Sequence, residues 1–297
     1  MLIELVERMS ARLQSAGVSY GHGTTNAFDE AAWLTLWRLG MPLDTLDEQG
    51  ARAVSTDQMA QVQVLIGERI ATRKPAAYLT GEAWLQGVPF TVDERVIVPR
   101  SLIAEVIADG TLDAWLRDEP RRVLDLCTGN GSLAVLAAMA WPSAQVDAAD
   151  LSADALDVAR LNLGRHGLAD RIALHRGDGL AAVSDQRYDL ILCNPPYVNA
   201  GSMAALPPEF RAEPALALAG GADGMDFIRG LLAAATRHMN PEAALVLEIG
   251  HERAHFDAAF TELDIVWLPT SAGDDQVLLI PRAALAACKT PSKENSR

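Results

Sequence analysis

The segment 188-YDLILCNPPY-197 decides how the rest of the chain is read. Its first half, Leu190, Ile191, Leu192 and Cys193, is a short continuous apolar run, the pattern of a strand buried on both faces of a parallel sheet. Asn194, Pro195, Pro196 and Tyr197 then stop it. Pro195 has no N–H and pushes Asn194 away from helical angles. A polar amide is thereby held in a stiff loop at the carboxyl end of the strand, where ligands bind in open α/β sheets. The Asn194 side-chain oxygen and the Pro195 carbonyl can each accept a hydrogen bond from a planar NH2 group, while the Tyr197 ring packs on its flat face. The turn reads as a clamp for an amide or an exocyclic amine. The plainer alternative is a proline-punctuated strand end with a buried tyrosine.

On both sides of this segment, strand and helix patterns alternate. Strands are expected near 122–126, 144–149, 171–175, 189–193, 243–249, 265–268 and 276–280, with helices near 102–115, 133–140 and from Ser152 to about Gly164. Seven strands alternating mostly with helices indicate a doubly wound α/β sheet. Ahead of it, Leu2, Leu5, Val6, Met9 and Leu13 recur at helical spacing, Phe28, Ala31, Ala32, Leu36 and Leu39 outline a second helix, and Ser55 with Gln58 forms a capping box before a third. Residues 1–77 therefore read as a small helical domain, its apolar faces core first and substrate recognition second. Between Tyr78 and Arg100 the period falls to two, with Gly81 and Gly87 as breaks. Residues 78–100 are expected as a β-hairpin linker, residues 101–288 as the sheet domain and 289–297 as a polar, frayed tail. Arg100 closes the linker as a structural anchor or as part of a substrate entrance.

Composition narrows the functional classes. A net charge of −14 over 297 residues argues against a glove for nucleic acid, which needs a basic surface, and suits a basic protein partner. Cys127, Cys193 and Cys288 have neither CxxC spacing nor an even count, so neither a disulfide framework nor a zinc ribbon is expected. No uninterrupted apolar run is long enough to span a bilayer, and a cytoplasmic protein is the expectation.

Chemistry gathers at a second stretch, Asp125-Leu126-Cys127-Thr128-Gly129-Asn130-Gly131. The glycines let backbone approach a ligand closely, and the helix that follows offers free N–H groups. Asp150 ends the next strand, where a carboxylate can take two ribose hydroxyls. The glycines alone fit NAD and S-adenosylmethionine equally. Two features separate them. Asp125 precedes the glycines, where a carboxylate can hold the amino acid end of S-adenosylmethionine near its cationic sulfonium. The Asn194 turn supplies an amine clamp and has no role in hydride transfer. Asp178 follows the third strand and could meet the adenine amino group; it and Asp150 could each equally be a cap or loop residue. A further match, His251-Glu252-Arg253-Ala254-His255, has the HExxH spacing of zinc peptidases. Downstream acids offer no third-ligand helix, and the segment follows the fifth strand, away from Asn194; a surface helix without metal is expected.

Taken together, the helical N-terminal domain, Pro75-x-x-Tyr78-Leu79, Val98-Pro99-Arg100, the Asp125 to Gly131 loop, Asp150, Asn194 to Tyr197, Glu213-Pro214, Ala217-Leu218 and Asp223-Gly224-Met225 resemble the HemK family of protein-glutamine N-methyltransferases. The resemblance implies a Rossmann-like methyltransferase sheet and S-adenosylmethionine as cofactor. It implies cofactor contacts from Asp125, Thr128, Gly129, Asn130, Gly131, Asp150, Asp178 and Asn194, substrate contacts from Asn194, Pro195, Pro196, Tyr197 and Arg100, and catalysis at Asn194, Pro195 and Tyr197. Tyr20-Gly21-His22-Gly23-Thr24, Asn26, Asp29-Glu30-Ala31, Ser101 after Arg100, and Cys127 in place of the usual Gly resemble the branch that modifies large-subunit ribosomal protein L three. Peptide release factors are the alternative substrate. Gly179 departs from the family, which often has a bulkier residue there near adenine, and the Ala272-Gly273-Asp274-Asp275 segment matches only loosely. An amine methyltransferase of nucleic acid, a non-catalytic ribosome-assembly or cofactor-sensing module, and an NAD oxidoreductase are the rival readings.

Overall fold

In the computed structural model, which describes residues 1–288, the chain forms two units. The polar tail expected at 289–297 lies outside the described residues. Of the described residues, the first unit comprises Met1–Arg100 together with Leu206–Pro214, and the second comprises 101–205 and 215–288.

Three longer helices build the first unit. The helix Leu2–Ser15 buries Leu2, Leu5, Val6, Met9 and Leu13, a stripe at three- and four-residue spacing. The helix Ala27–Arg38 starts at Asn26, whose side chain accepts the Asp29 N–H at 2.9 Å. The helix Thr56–Thr72 carries the expected capping box: the Ser55 hydroxyl accepts from Gln58 N at 3.2 Å, and Gln58 Oε1 accepts from Ser55 N at 3.0 Å. Their apolar stripes meet in one core around Leu5, Leu34, Val62 and Ile66. Within Tyr78–Arg100 the paired strands are short, β1 (Glu82–Leu85) and β2 (Val88–Thr91), antiparallel with Leu85 opposite Val88. Gln86 (φ 49°) and Gly87 (φ 73°) form the two-residue loop, and their positive φ values match the right-handed twist of a hairpin.

A second, polar core lies inside this unit. Arg69 is fully buried and donates to Glu30 Oε1 at 2.9 Å, to Glu209 Oε1 at 3.4 Å and to the Ser19 carbonyl at 3.0 Å. Arg100 grips the buried Glu213 with both terminal nitrogens, at 2.6 and 2.8 Å, and Glu213 also accepts from Val98 N. His22, flanked by Gly21 and Gly23 with positive φ, packs against Phe210 in a tilted arrangement with ring centroids 4.2 Å apart. The segment Leu206–Pro214 thus brings two carboxylates and an aromatic ring to this unit.

The second unit is organised by β3 (Arg122–Leu126), β4 (Gln145–Asp150), β5 (Ile172–Arg176), β6 (Tyr188–Cys193), β7 (Met239–Glu248), β8 (Val266–Thr270) and β9 (Gly273–Pro281). Among the described residues they form one seven-stranded sheet in the order β5-β4-β3-β6-β7-β9-β8. β3 to β7 run parallel to one another, and β9 is antiparallel to both β7 and β8. This is the doubly wound, Rossmann-like sheet expected from the alternating pattern. Leu190, Ile191, Leu192 and Cys193 of β6 are fully buried, as a strand covered on both faces requires. The helix expected over 102–115 is shorter, Ile103–Ala108, because Gly110 (φ 74°) breaks it before a 3-10 turn at Thr111–Ala114.

Candidate functional site

The order of the sheet creates the site. From β3 the chain proceeds to β4 on one side, and β6 pairs on the other, which makes the carboxyl ends of β3 and β6 a topological switch point. Leu126 pairs with both Ala149 and Cys193, and Cys193 pairs with Leu247. One residue further along, Cys127, Asp150, Asn194 and Glu248 therefore lie along one edge of the sheet. Two distant sequence motifs meet here because their strands are neighbours.

The loop after β3 is shaped by its own side chains. Asp125 is wholly buried; its Oδ2 accepts from the Thr128 hydroxyl and from Ala134 N at 3.0 Å, while Oδ1 is buried without a hydrogen-bond partner. Burial, with the nearby Asp150 adding to it, pushes the carboxyl up to about 7 against these two hydrogen bonds. Asp150 Oδ2 accepts from Gly129 N at 2.9 Å and Oδ1 from Ser152 N at 2.8 Å. Asp150 thus fixes the glycine loop, and burial raises its carboxyl as well. Gly129 has φ 56° and open space where a Cβ would project; Gly131 has φ 80° and would bring a Cβ to 3.2 Å from Ala159. Asn130 is buried, with its side-chain nitrogen unpartnered, and its carbonyl accepts from Asn162 at 2.9 Å. Cys127 takes φ 62°, a conformation that favours glycine. Asp178 is exposed beyond β5, and the space above Gly179 is faced by Phe227, 3.6 Å from where a Cβ would stand.

The turn after β6 is held by its surroundings. Asn194 is half-buried, and among the described residues no hydrogen bond engages its side-chain amide. Val198 N donates to the Leu218 carbonyl at 2.8 Å and Gly220 N to the Val198 carbonyl at 2.9 Å, tying the turn to the segment that follows. Glycine is required around Tyr197: a Cβ on Gly224 would lie 2.2 Å from its carbonyl oxygen, one on Gly220 2.7 Å from its Cα, and one on Gly250 2.6 Å from its ring. The Tyr197 hydroxyl donates to Glu248 Oε1 at 3.3 Å. Glu248 Oε2 accepts from the Ser101 hydroxyl at 2.6 Å and from Leu102 N at 2.9 Å, and burial raises its carboxyl.

Glu248 was missed in the sequence reading. Its signal is a single acid inside the apolar run Ala243–Ile249, where a buried charge needs a reason. Arg100 lies in the first unit, where Glu213 and the Phe210 ring, 5.5 Å away, engage its guanidinium. The HExxH match does not sit on one helix: the helix is Arg253–Ala259, so His251 precedes it. Glu252 instead accepts from the Asn199 side chain at 2.7 Å and pairs with His255 at 2.6 Å, steadying the loop beyond Tyr197. Among the described residues no group of three or more His, Cys, Asp or Glu is arranged to hold a metal, and no helix is long and apolar enough to cross a membrane.

Comparison with known proteins agrees with this arrangement. The family model "Methyltransferase small domain" matches residues 110–221. Among solved structures, the hMettl16 catalytic domain in complex with a MAT2A 3'UTR hairpin superposes with a TM-score of 0.51 at 12% identity, covering 76% of this chain and 81% of that one; this likeness concerns the fold. The ribosomal protein uL3 glutamine methyltransferase of Bordetella pertussis is 54% identical over 96% of both chains. Proteins of the same name from Burkholderia pseudomallei and Bradyrhizobium diazoefficiens are 52% and 47% identical, each over 96% of this chain and over 95% and 91% of their own lengths. At that identity over nearly full length, the chain belongs to the family of ribosomal protein uL3 glutamine methyltransferases.

Proposed function

We propose that the chain transfers a methyl group from S-adenosyl-L-methionine to the side-chain amide nitrogen of a glutamine in ribosomal protein uL3. The observation that carries the reading is the near full-length identity to relatives that bear that name. As a partner of a ribosomal protein, the enzyme would work in the cytoplasm.

The residues fit the cofactor. S-adenosylmethionine carries a sulfonium, an ammonium and a ribose diol, and bound here it would supply an electrophilic methyl. Asp125 and Asp150 meet only neutral donors, and Asp125 keeps a buried oxygen with no partner, as a site for a cationic ligand requires. Asp125, Thr128 and the Gly129 to Gly131 backbone would hold the amino acid end, Asp150 the ribose, and Asp178 the adenine edge. The open space at Gly129 lets backbone approach the ligand.

At the substrate, an amide nitrogen is a poor nucleophile because its lone pair is delocalised into the carbonyl. Asn194 Oδ1 and the Pro195 carbonyl would accept hydrogen bonds from its two N–H groups, aim the nitrogen and stabilise the positive charge that develops on it during methylation. Pro196 stiffens this clamp. Tyr197, held by Glu248 and the surrounding glycines, walls the site and excludes water. The nitrogen releases its proton after transfer, when it has become acidic, so no strong base is needed. Arg100 acts as a structural anchor through Glu213.

The test is an assay with labelled S-adenosylmethionine, offering purified uL3 and a peptide release factor separately, followed by mass mapping. Label on a glutamine of uL3 alone is expected. Label on the release factor would move the enzyme to the sister branch, and no label on either despite cofactor binding would overturn the reading.

A further inference from the structure

A groove of about 760 Å³ opens on the first unit, and none of the residues assigned above to cofactor binding or methyl transfer lines it. Its walls include Trp37, Met41, Leu43, Asp44, Glu82 and Trp84. Trp84 is 45% exposed, an unusual position for an indole on a short hairpin strand. It is held in place: its Nε1 donates to Glu82 Oε1 at 3.1 Å, so the ring is oriented by a carboxylate that itself lines the groove. Asp44 is exposed, and among the described residues it has no ion-pair partner. No Lys or Arg lines the groove, and the neighbouring turn adds Asp47 and Glu48 at the start of the helix Leu46–Gln49.

Two indoles and two carboxylates around one concavity, with no Lys or Arg in its lining, suit one kind of guest. An Arg or Lys side chain lays its apolar stem and cationic head against indole faces and directs its N–H groups to carboxylates. A ribosomal protein supplies such side chains because binding RNA phosphates demands a basic surface, and this chain carries a net charge of −14. We infer that this groove is a docking site for an Arg or Lys side chain of the basic protein substrate, separate from the residues that perform methyl transfer. The inference rests on the substrate reading above and adds to it where the substrate is gripped.

The experiment uses the full chain with two readouts: tryptophan fluorescence during titration with purified uL3, and transfer of labelled methyl to it. The variants are Asp44→Lys and Trp84→Ala, both at exposed positions, with Trp84→Phe as the conservative control. The expected result is a saturable titration for the wild type that weakens about tenfold in Asp44→Lys and Trp84→Ala and is largely kept in Trp84→Phe. KM for uL3 should rise in parallel while kcat and the affinity for S-adenosylmethionine stay unchanged. A titration that does not saturate in the wild type, or that both variants leave unchanged, overturns the docking site even if methyl transfer proceeds. Saturable, variant-sensitive binding without any transfer by the wild type supports the docking site and counts against the substrate reading instead.

Discussion

Glu213 and Asp125 are both buried carboxylates, yet they titrate in opposite directions. Burial works to raise each of them. At Glu213 the approach of His22 and the bidentate grip of Arg100 outweigh it and hold the carboxyl down at about 2. Glu209 is likewise lowered, by backbone N–H groups together with Arg73 and Arg69. Glu30, which shares Arg69, is the exception, because burial prevails there. In the sheet unit, Asp125, Asp150 and Glu248 meet hydroxyls and backbone N–H groups only, and burial prevails at all three. A buried carboxylate matched by an internal guanidinium belongs to the scaffold. One matched by neutral donors alone is costly to ionise until a cation arrives from outside.

Removing the internal cation is the strongest way to break this contrast. Arg69→Met leaves Glu30 without its guanidinium and Glu209 with Arg73 alone, and should cost about 3–5 kcal/mol of stability by urea unfolding. If stability is unchanged, the polar core of the helical unit is not scaffold. At the site the expectation is reversed, with function lost and stability kept. Asn194→Ala should lower kcat by about 10²- to 10³-fold, the scale seen when a positioned group that stabilises transition-state charge is removed, with little change in cofactor affinity or unfolding midpoint. An equal loss in cofactor affinity would assign Asn194 to cofactor binding instead. Asp125→Asn should weaken S-adenosylmethionine binding by about 10- to 100-fold, the range for one hydrogen bond to a charged group, measured by calorimetry.

The pH dependence sharpens the same contrast, because the two carboxylates have opposite signs. Glu213, lowered from an ordinary 4.5 to about 2, contributes stability that is present above pH 4.5 and lost as pH falls toward 2. Asp125, raised from 3.8 to about 7, contributes stability that is complete below pH 3.8 and lost as pH rises through 7 in the absence of ligand. Unfolding measured over a pH series should therefore lose its acid limb in Glu213→Gln and part of its slope between pH 4 and 7 in Asp125→Asn. The smallest effect belongs to neither set: Ser55→Ala removes the capping box of the helix Thr56–Thr72 and should cost about 1 kcal/mol, leaving methyl transfer unchanged.

Much of this molecule was legible from residues close together in the chain. The apolar run of β6, its arrest at Asn194-Pro195, the capping box at Ser55 and the hairpin turn near Gly87 all follow from backbone restrictions and side-chain period acting over a few residues. Position in the α/β alternation also located the Asp125 loop and Asp150 at the carboxyl ends of strands. Where one glycine intervened, as Gly110 does, the expected helix was cut short. The HExxH match shows the limit of reading a spacing without its backbone, since His251 and Glu252 both precede the helix and the two histidines are not on one helical face.

By itself, the sequence determined the order of strands and helices, the doubly wound class of the sheet and the two chemical motifs, because each depends on local backbone geometry. Only the tertiary structure decided which polar groups face one another. Arg100 finds Glu213 across 113 residues and Ser101 finds Glu248 across 147. It likewise decided that Gly220, Gly224 and Gly250 would close around Tyr197, and that two tryptophans would share a groove with two carboxylates. Such partnerships, and the burial that sets each carboxyl's proton affinity, arise when distant segments exclude water together, and no pattern within a single segment records them.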